Sequence, residues 1–182
     1  MNHKKIIISI LLVLLLVKFF SRYKSWKISS SGDAIAFSHN SRMVAYATGK
    51  TIRRRIRNSY LTGSSTVEIR EVNSGRIIHT FDFFDASSIA FSPDNSLIAI
   101  GGYGGEIKIW RIQDARLIHT FKKAEHYKDK TNKLLFTPDG QSLVSSTIPK
   151  PISQYSNSNI SVWDLQRGVN INTVDQPFTC AA

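Results

Sequence analysis

The sequence predicts an all-β fold, a row of three four-stranded antiparallel sheets preceded by a short hydrophobic N-terminal helix. Two different hairpin-like segments alternate strictly along the chain, and each of them occurs three times. No helical periodicity lies between these segments. The 182 residues, of which 42% are hydrophobic, are enough for one globular domain with an appendage.

The first twenty residues, MNHKKIIISILLVLLLVKFF, combine a basic start with an apolar run. This pattern is typical of a secretory signal, and the run is shorter than the roughly 20 residues that span a membrane. Because no small-residue cleavage site follows directly, we favour an uncleaved signal-anchor over residues 1–20 and a basic linker over residues 21–32. A cleaved signal peptide, giving a secreted or periplasmic protein, stays open.

The orientation of the membrane-anchored body rests on two signals that disagree. Flanking lysines and arginines are more numerous after the apolar run than before it, which favours a cytoplasmic body. The signal-like pattern favours the extracytoplasmic side, and we expect the body to lie there.

The first repeated segment is IAFSHNSRMVAYAT, IAFSPDNSLIAIGG and LLFTPDGQSLVSST, in which Phe37, Phe91 and Phe136 are equivalent. Short β-branched or aromatic runs flank turn formers such as Pro93-Asp94-Asn95, so each copy predicts a hairpin. In these turns proline presets φ, aspartate bonds the backbone ahead, and asparagine or glycine tolerates positive φ.

The second segment is VEIREVNSGRIIHTF, IKIWRIQDARLIHTF and ISVWDLQRGVNINTV, starting at Val67, Ile107 and Ile160. Turn formers again separate two strand-like runs, as in Asn73-Ser74-Gly75. Two hairpins in succession give one four-stranded antiparallel unit, so the chain predicts three such units. Consecutive apolar residues at Ile98–Ile100 indicate a strand that is buried on both faces.

The third strands carry the residues that identify the repeat. IKIWR at Trp110 and ISVWD at Trp163-Asp164 resemble the third strand of the tryptophan–aspartate (WD) repeat, and the PDN and PDG turns resemble its first hairpin. The resemblance covers three repeats, residues 33–81, 87–121 and 133–174, with a C-terminal tail over 175–182. It implies a partial β-propeller of three blades, with Trp110, Trp163, Asp164, Phe37, Phe91 and Phe136 as structural residues of the repeat.

Three blades are too few to close a propeller, which needs about four to eight. The sequence leaves three interpretations open. Two copies could close a six-bladed ring, a different propeller protein could complete the arc, or the chain is a truncated piece of a longer propeller.

Motifs for catalysis, cofactors and metals are weak. The glycines of Gly101–Gly105 open no helix and are best explained as a tight connection between strands. His79 and His119 occupy equivalent repeat positions, which lie apart in a repeat array, and Cys180 has no activating neighbours. We expect no enzyme activity, no cofactor and no metal.

The net charge of +11 is concentrated in the connections rather than in the repeats. Residues 49–66 and 122–133, both interpreted as loops, are rich in arginine and lysine, and strand direction places both on the side where the chain enters the first repeat. This gives a candidate basic binding face, which consists of Lys50, Arg53, Arg54, Arg55, Arg57, Lys122, Lys123, Lys128 and Lys130.

The resemblance implies a non-catalytic protein-interaction or scaffold module, which the N-terminal segment would tether to a membrane. We expect protein partners, self-association or completion of the propeller by another chain, and no nucleic acid. The alternative is an extracytoplasmic propeller of the periplasmic TolB-like type, a binding protein or enzyme that shares the PDG turn.

Overall fold

The computed structural model describes residues 34–48, 51–56, 59–64, 66–122, 130–148 and 157–177. Within these ranges the chain forms fourteen strands and no helix. The strands are β1 (Ile35–Phe37), β2 (Met43–Ala47), β3 (Thr51–Ile56), β4 (Ser59–Ser64), β5 (Thr66–Glu71), β6 (Ile77–Asp82), β7 (Ala86–Phe91), β8 (Leu97–Gly102), β9 (Ile107–Arg111), β10 (Arg116–Phe121), β11 (Lys130–Phe136), β12 (Ser142–Ile148), β13 (Asn157–Asp164) and β14 (Val169–Pro177).

Twelve of these strands build three four-stranded sheets, which confirms the predicted all-β fold. Their orders are β1-β2-β5-β6, β7-β8-β9-β10 and β11-β12-β13-β14, and all neighbours are antiparallel. We call the sheets blades 1, 2 and 3 and their strands a, b, c and d in chain order.

The arginine-rich connection in blade 1 corrects one expectation. Residues 49–66 were predicted to form a loop, but β3 and β4 pair within them as a two-stranded hairpin, from Thr51 opposite Ser64 to Ile56 opposite Ser59. The β-branched and aromatic residues of this stretch favour strand, and the arginine run conceals that preference. The hairpin remains the b–c connection of blade 1, because β2 pairs directly with β5.

The lysine-rich connection between blades 2 and 3 is shorter than predicted. Strand β11 begins at Lys130, so this residue belongs to a strand and not to the loop that was expected to reach Lys133. Lys130 also forms an isolated antiparallel bridge with Tyr103, which lies in the b–c connection of blade 2. That bridge pins the start of blade 3 to blade 2.

Blades pack face to face through two hydrophobic clusters, one between blades 1 and 2 and one between blades 2 and 3. Each blade therefore has a leading face, which packs on the next blade, and a trailing face, which packs on the preceding one. In blade 2 the leading face carries Ala90, Ala99, Ile107, Ile109 and Phe121, and the trailing face carries Ile89, Phe91, Ile98, Ile100 and Trp110. Ile98, Ala99 and Ile100 are fully buried, as expected for a strand covered on both faces.

The three a–b turns are built alike. In blade 2 the Ser92 hydroxyl donates to Asp94 Oδ1, Ser96 N donates to the same oxygen, and Asn95 has a φ of 61°. Blade 3 repeats this with Thr137, Asp139 and Gly140, and blade 1 with Ser38, Asn40 and Ser41. In each turn the side-chain oxygen of the aspartate or asparagine, which is Asp94, Asp139 or Asn40, accepts the hydrogen bonds that fix the turn.

The predicted N-terminal helix, the basic linker and most of the C-terminal tail lie outside the described residues. No helix long and apolar enough to cross a membrane occurs among the residues that the structure describes.

Candidate interaction surface

Strand direction divides the row of blades into two sides. The a–b and c–d turns lie on one, which we call the turn side. The b–c connections and the d–a connections lie on the other, which we call the connection side, and the chain enters blade 1 there. The arginine hairpin β3–β4 belongs to the connection side, as do Lys122 and Lys130, which bound the d–a connection after β10.

Five of the nine predicted basic residues lie on this side within the described part of the chain. Arg53, Arg54 and Arg55 lie on β3, where they pair with Thr62, Leu61 and Tyr60. Lys122 and Lys130 stand at the two ends of the d–a connection. Lys50, Arg57, Lys123 and Lys128 lie outside the described residues.

Glu106 partly offsets this positive charge in the b–c connection of blade 2. Its Oε1 lies 3.6 Å from Lys108 Nζ and 3.7 Å from Lys122 Nζ. The Lys122 side chain is 70% exposed, so the second pair is a weak, solvent-screened contact. The Lys122 ammonium group therefore remains accessible from solvent.

Both signs of charge are present on the turn side. Hydrogen bonds from Ser92 and Ser96 hold the pKa of the Asp94 carboxyl below its usual value, and those from Thr137 and Gln141 do so for Asp139. Arg76 and Arg167 lie in c–d turns, each 3.8 Å from a carboxylate oxygen. The turn side therefore lacks the excess of positive charge that the connection side carries.

An open cavity of about 470 Å³ lies on the turn side of blade 3, lined by Gly140, Gln141, Ser142, Asp164, Leu165 and Gln166. Asp164 is its acidic group, and Asp164 Oδ1 already accepts hydrogen bonds from Gln166 N at 2.8 Å and Arg167 N at 2.9 Å. This carboxylate fixes a turn. Across the described ranges no three His, Cys, Asp or Glu residues come together as a metal site would require.

The two tryptophans of the repeat lie on trailing faces and pack on the preceding blade. Trp110 contacts Phe81 of blade 1 with 4.9 Å between ring centroids, and Trp163 stacks on Phe121 of blade 2 at 4.5 Å. Trp163 Nε1 also donates to Ser145 Oγ at 2.9 Å. Ser145 was not predicted from the sequence. Its position on β12, the strand that pairs with the strand of Trp163, is the feature that could have indicated it.

Blade 1 has Arg70 where the other blades have tryptophan. Arg70 Nη2 lies 2.8 Å from Glu68 Oε2, and the buried Tyr46 hydroxyl donates to the same oxygen at 2.8 Å. Burial and this hydrogen bond raise the pKa of Tyr46. This polar network was not predicted from the sequence. It could have been expected because Glu68 and Arg70 are two residues apart on one strand and so lie on the same face of the sheet.

Phe37, predicted to match Phe91 and Phe136, differs from them in its surroundings. Phe91 is buried and Phe136 is half-buried, because each packs on the preceding blade. Phe37 is 60% exposed on the trailing face of blade 1.

Successive four-stranded blades with a tryptophan on the third strand define a WD-repeat β-propeller protein. The family model described as "Eukaryotic translation initiation factor eIF2A" matches residues 62–177. The match covers more than half of the chain, and the chain belongs to this family.

Individual relatives agree with this class. The chain is 24% identical to WD repeat-containing protein 75 of Danio rerio over 135 residues, which cover 74% of this chain and 15% of that protein. It is 28% identical to Periodic tryptophan protein 2 of Arabidopsis thaliana over 95 residues, which cover 52% and 9%. The chain thus spans a small part of the length of both relatives.

Among solved structures, that of U3-55K superposes with a TM-score of 0.60 and 16% identity, covering 83% of this chain and 40% of that one. At this identity the likeness shows the fold alone.

Proposed function

We propose that this chain is a non-catalytic, membrane-tethered scaffold whose connection side binds an acidic surface. One observation carries the proposal. The hairpin that bears Arg53, Arg54 and Arg55 lies on the same side of the blades as Lys122 and Lys130. The WD-repeat architecture supports the interaction role, since such blades present connections and turns to partners.

The tether is supported by the position at which the chain enters the blades. Residues 21–32 are twelve in number and reach at most about 40 Å when extended, so an anchor over residues 1–20 would hold the connection side close to a bilayer. Anionic head groups attract each nearby lysine or arginine by about 1 kcal/mol. The acidic surface that we propose is therefore an anionic membrane.

A non-catalytic role is supported by the use of the polar groups already described. Asp94, Asp139 and Asp164 fix turns, and Glu68 binds Tyr46 and Arg70. These carboxylates are held by protein donors, which does not suit general acid–base chemistry on a substrate.

The test is co-sedimentation of the full chain with vesicles of anionic phospholipid and with neutral vesicles, over a series of salt concentrations. The apolar N-terminal segment is expected to bind both kinds of vesicle. The connection side is expected to add binding that is specific to anionic vesicles and weakens as salt shortens the Debye length.

Changing Arg53, Arg54 and Arg55 to Ser is expected to remove most of the salt-dependent part of the binding. The matched control changes Arg76, Arg116 and Arg167 to Ser, which removes the same charge from the turn side and is expected to have little effect. Equal losses in the two triple variants, or no preference of the wild-type chain for anionic vesicles at low salt, would refute the proposal. Polyglutamate serves as a second probe, and binding to it without binding to anionic vesicles would point to an acidic protein instead.

A further inference from the structure

Two blade faces lack a neighbouring sheet in the described part of the chain, the leading face of blade 3 and the trailing face of blade 1. By strand register the leading face of blade 3 carries Leu135, Val144, Ile160, Val162 and Val174. The equivalent positions of blades 1 and 2 pack against the next blade. Here Leu135 is 52% exposed, Ile160 41% and Val174 44%. This face therefore has apolar residues at the positions that form the contacts between blades, but no described sheet packs on it.

The trailing face of blade 1 shows the complementary feature. Ile35 is 53% exposed and Phe37 60%, whereas their counterparts in blade 2, Ile89 and Phe91, are buried against blade 1. Both residues stand on strand a, which in blades 2 and 3 supplies apolar contacts to the preceding blade. Blade 1 thus presents the same apolar pair with no described blade before it.

We infer that the two faces pack on each other between two copies of this chain, so that two arcs of three blades close one six-bladed ring. The interior joints show what each face accepts, because every leading face in them packs on a trailing face. The described residues leave one face of each kind without a neighbouring sheet. A two-fold axis brings both pairs together at once, and six blades lie within the range in which propellers close.

The residues at the outer strands fit this pairing. Inside the arc, a tryptophan on strand c packs on a phenylalanine on strand d of the preceding blade, as Trp163 does on Phe121. At the open faces both positions have changed, to Arg70 and Val174. Arg70 is already paired with Glu68 and donates to Gly75 O at 2.9 Å, so it enters the joint with its charge compensated.

This inference is independent of the basic connection side, and its test measures mass rather than membrane binding. The full chain is examined by sedimentation equilibrium at micromolar concentration in a mild non-ionic detergent, which keeps the apolar N-terminal segments from associating. The expected result is the mass of two copies. A single-copy mass overturns the inference, and so does a series of larger open assemblies.

Two exposed positions test which faces meet. Phe37→Lys places a charge on the trailing face of blade 1, and Leu135→Asp places one on the leading face of blade 3. Each variant alone is expected to sediment as one copy, because an unpaired charge in an apolar joint is strongly unfavourable. Mixed in equal amounts, the two variants are expected to recover the two-copy mass, since one joint is then native and the other pairs Lys with Asp.

The matched control is Leu117→Asp, a similar change at a residue that is 46% exposed on strand d of blade 2, away from both open faces. It is expected to keep the two-copy mass. Circular dichroism verifies that each variant keeps its β structure. A pair of copies that survives Phe37→Lys, or variants that fail to complement each other while remaining folded, would mean that the copies meet through other surfaces.

Discussion

The two interior joints of the arc are built from equivalent residues but are stabilised in different ways. Joint 1, between blades 1 and 2, has a mainly apolar interior in which Trp110 packs on Phe81 and Phe83, and a hydrogen bond from His39 N to Asn95 Oδ1 lies at its exposed rim. Joint 2, between blades 2 and 3, adds hydrogen bonds between the blades, of which one is buried and another part-buried. Leu134 N donates to Ser88 Oγ at 3.0 Å, and His119 Nε2 lies 2.7 Å from Leu165 O.

The difference extends to the tryptophans. Trp163 has Ser145 as acceptor for its indole N–H, whereas Ile100, which has no polar atom, occupies the position equivalent to Ser145 in blade 2. Apolar packing tolerates changes that conserve volume, but a buried hydrogen bond requires both of its partners. Joint 1 is therefore expected to tolerate substitutions that conserve volume, whereas joint 2 is expected to lose stability when either partner of a buried hydrogen bond is replaced.

The largest expected difference comes from replacing each tryptophan by phenylalanine. Both changes remove ring area from a joint, but Trp163→Phe also leaves the buried Ser145 hydroxyl without its donor, which adds about 1–3 kcal/mol of destabilisation. Trp163→Phe is therefore expected to lower the free energy of unfolding more than Trp110→Phe. Urea denaturation of the two variants measures the difference.

A double-mutant cycle provides the control for this comparison. Ser145→Ala in the Trp163→Phe background is expected to recover part of the lost stability, because no unsatisfied hydroxyl remains. The same urea curves would contradict the comparison if the cycle showed no coupling and both tryptophan variants lost the same stability.

A second difference between the joints lies at one position of strand b, Ala47 in blade 1 and Gly101 in blade 2. A Cβ on Gly101 would lie 2.5 Å from Thr131 Cγ2, because strand β11 of blade 3 approaches closely there. Gly101→Ala is expected to destabilise the protein by about 1–3 kcal/mol, as overpacking does. Ala47→Gly at joint 1 causes no overpacking, and it is expected to cost about 1–2 kcal/mol through backbone entropy and the loss of a fully buried methyl group.

Thr131→Ala is expected to relieve part of the overpacking that Gly101→Ala introduces. It removes Cγ2 and a hydroxyl that has no hydrogen-bond partner among the described residues, so its loss breaks no hydrogen bond. Thermal unfolding of Gly101→Ala with and without Thr131→Ala measures the relief. A Gly101→Ala variant as stable as the wild type would show that the two strands can separate freely.

Repetition in the sequence was enough to predict the blades, because turns such as Pro93-Asp94-Asn95 recur with the same chemistry and fix where strands end. What repetition could not predict is whatever occurs once. The β3–β4 hairpin is an insertion in blade 1 only, and the Tyr46–Glu68–Arg70 network replaces a tryptophan site. The Trp163–Ser145 hydrogen bond depends on a strand register that spacing alone does not give.

The smallest expected effect concerns a feature that the two joints share. In each joint the second blade, blade 2 or blade 3, has an a–b turn that is held by an aspartate. Asp94 in blade 2 and Asp139 in blade 3 have pKa values below the ordinary 3.8, since hydrogen bonds from Ser92 and Thr137 favour the ionised carboxylates. A lowered pKa in the folded state contributes stability that is present above pH 3.8 and is lost as the pH falls through the folded value. The wild-type melting temperature is therefore expected to fall between pH 5 and about pH 3.

Asp94→Asn and Asp139→Asn are expected to reduce this fall by similar amounts. Both variants are expected to change the melting temperature little at pH 7, because Asn40 already accepts the same bonds in blade 1. Calorimetry of the two variants at both pH values makes the comparison. A reduced fall in Asp139→Asn but not in Asp94→Asn would show that the polar character of joint 2 extends to its turn.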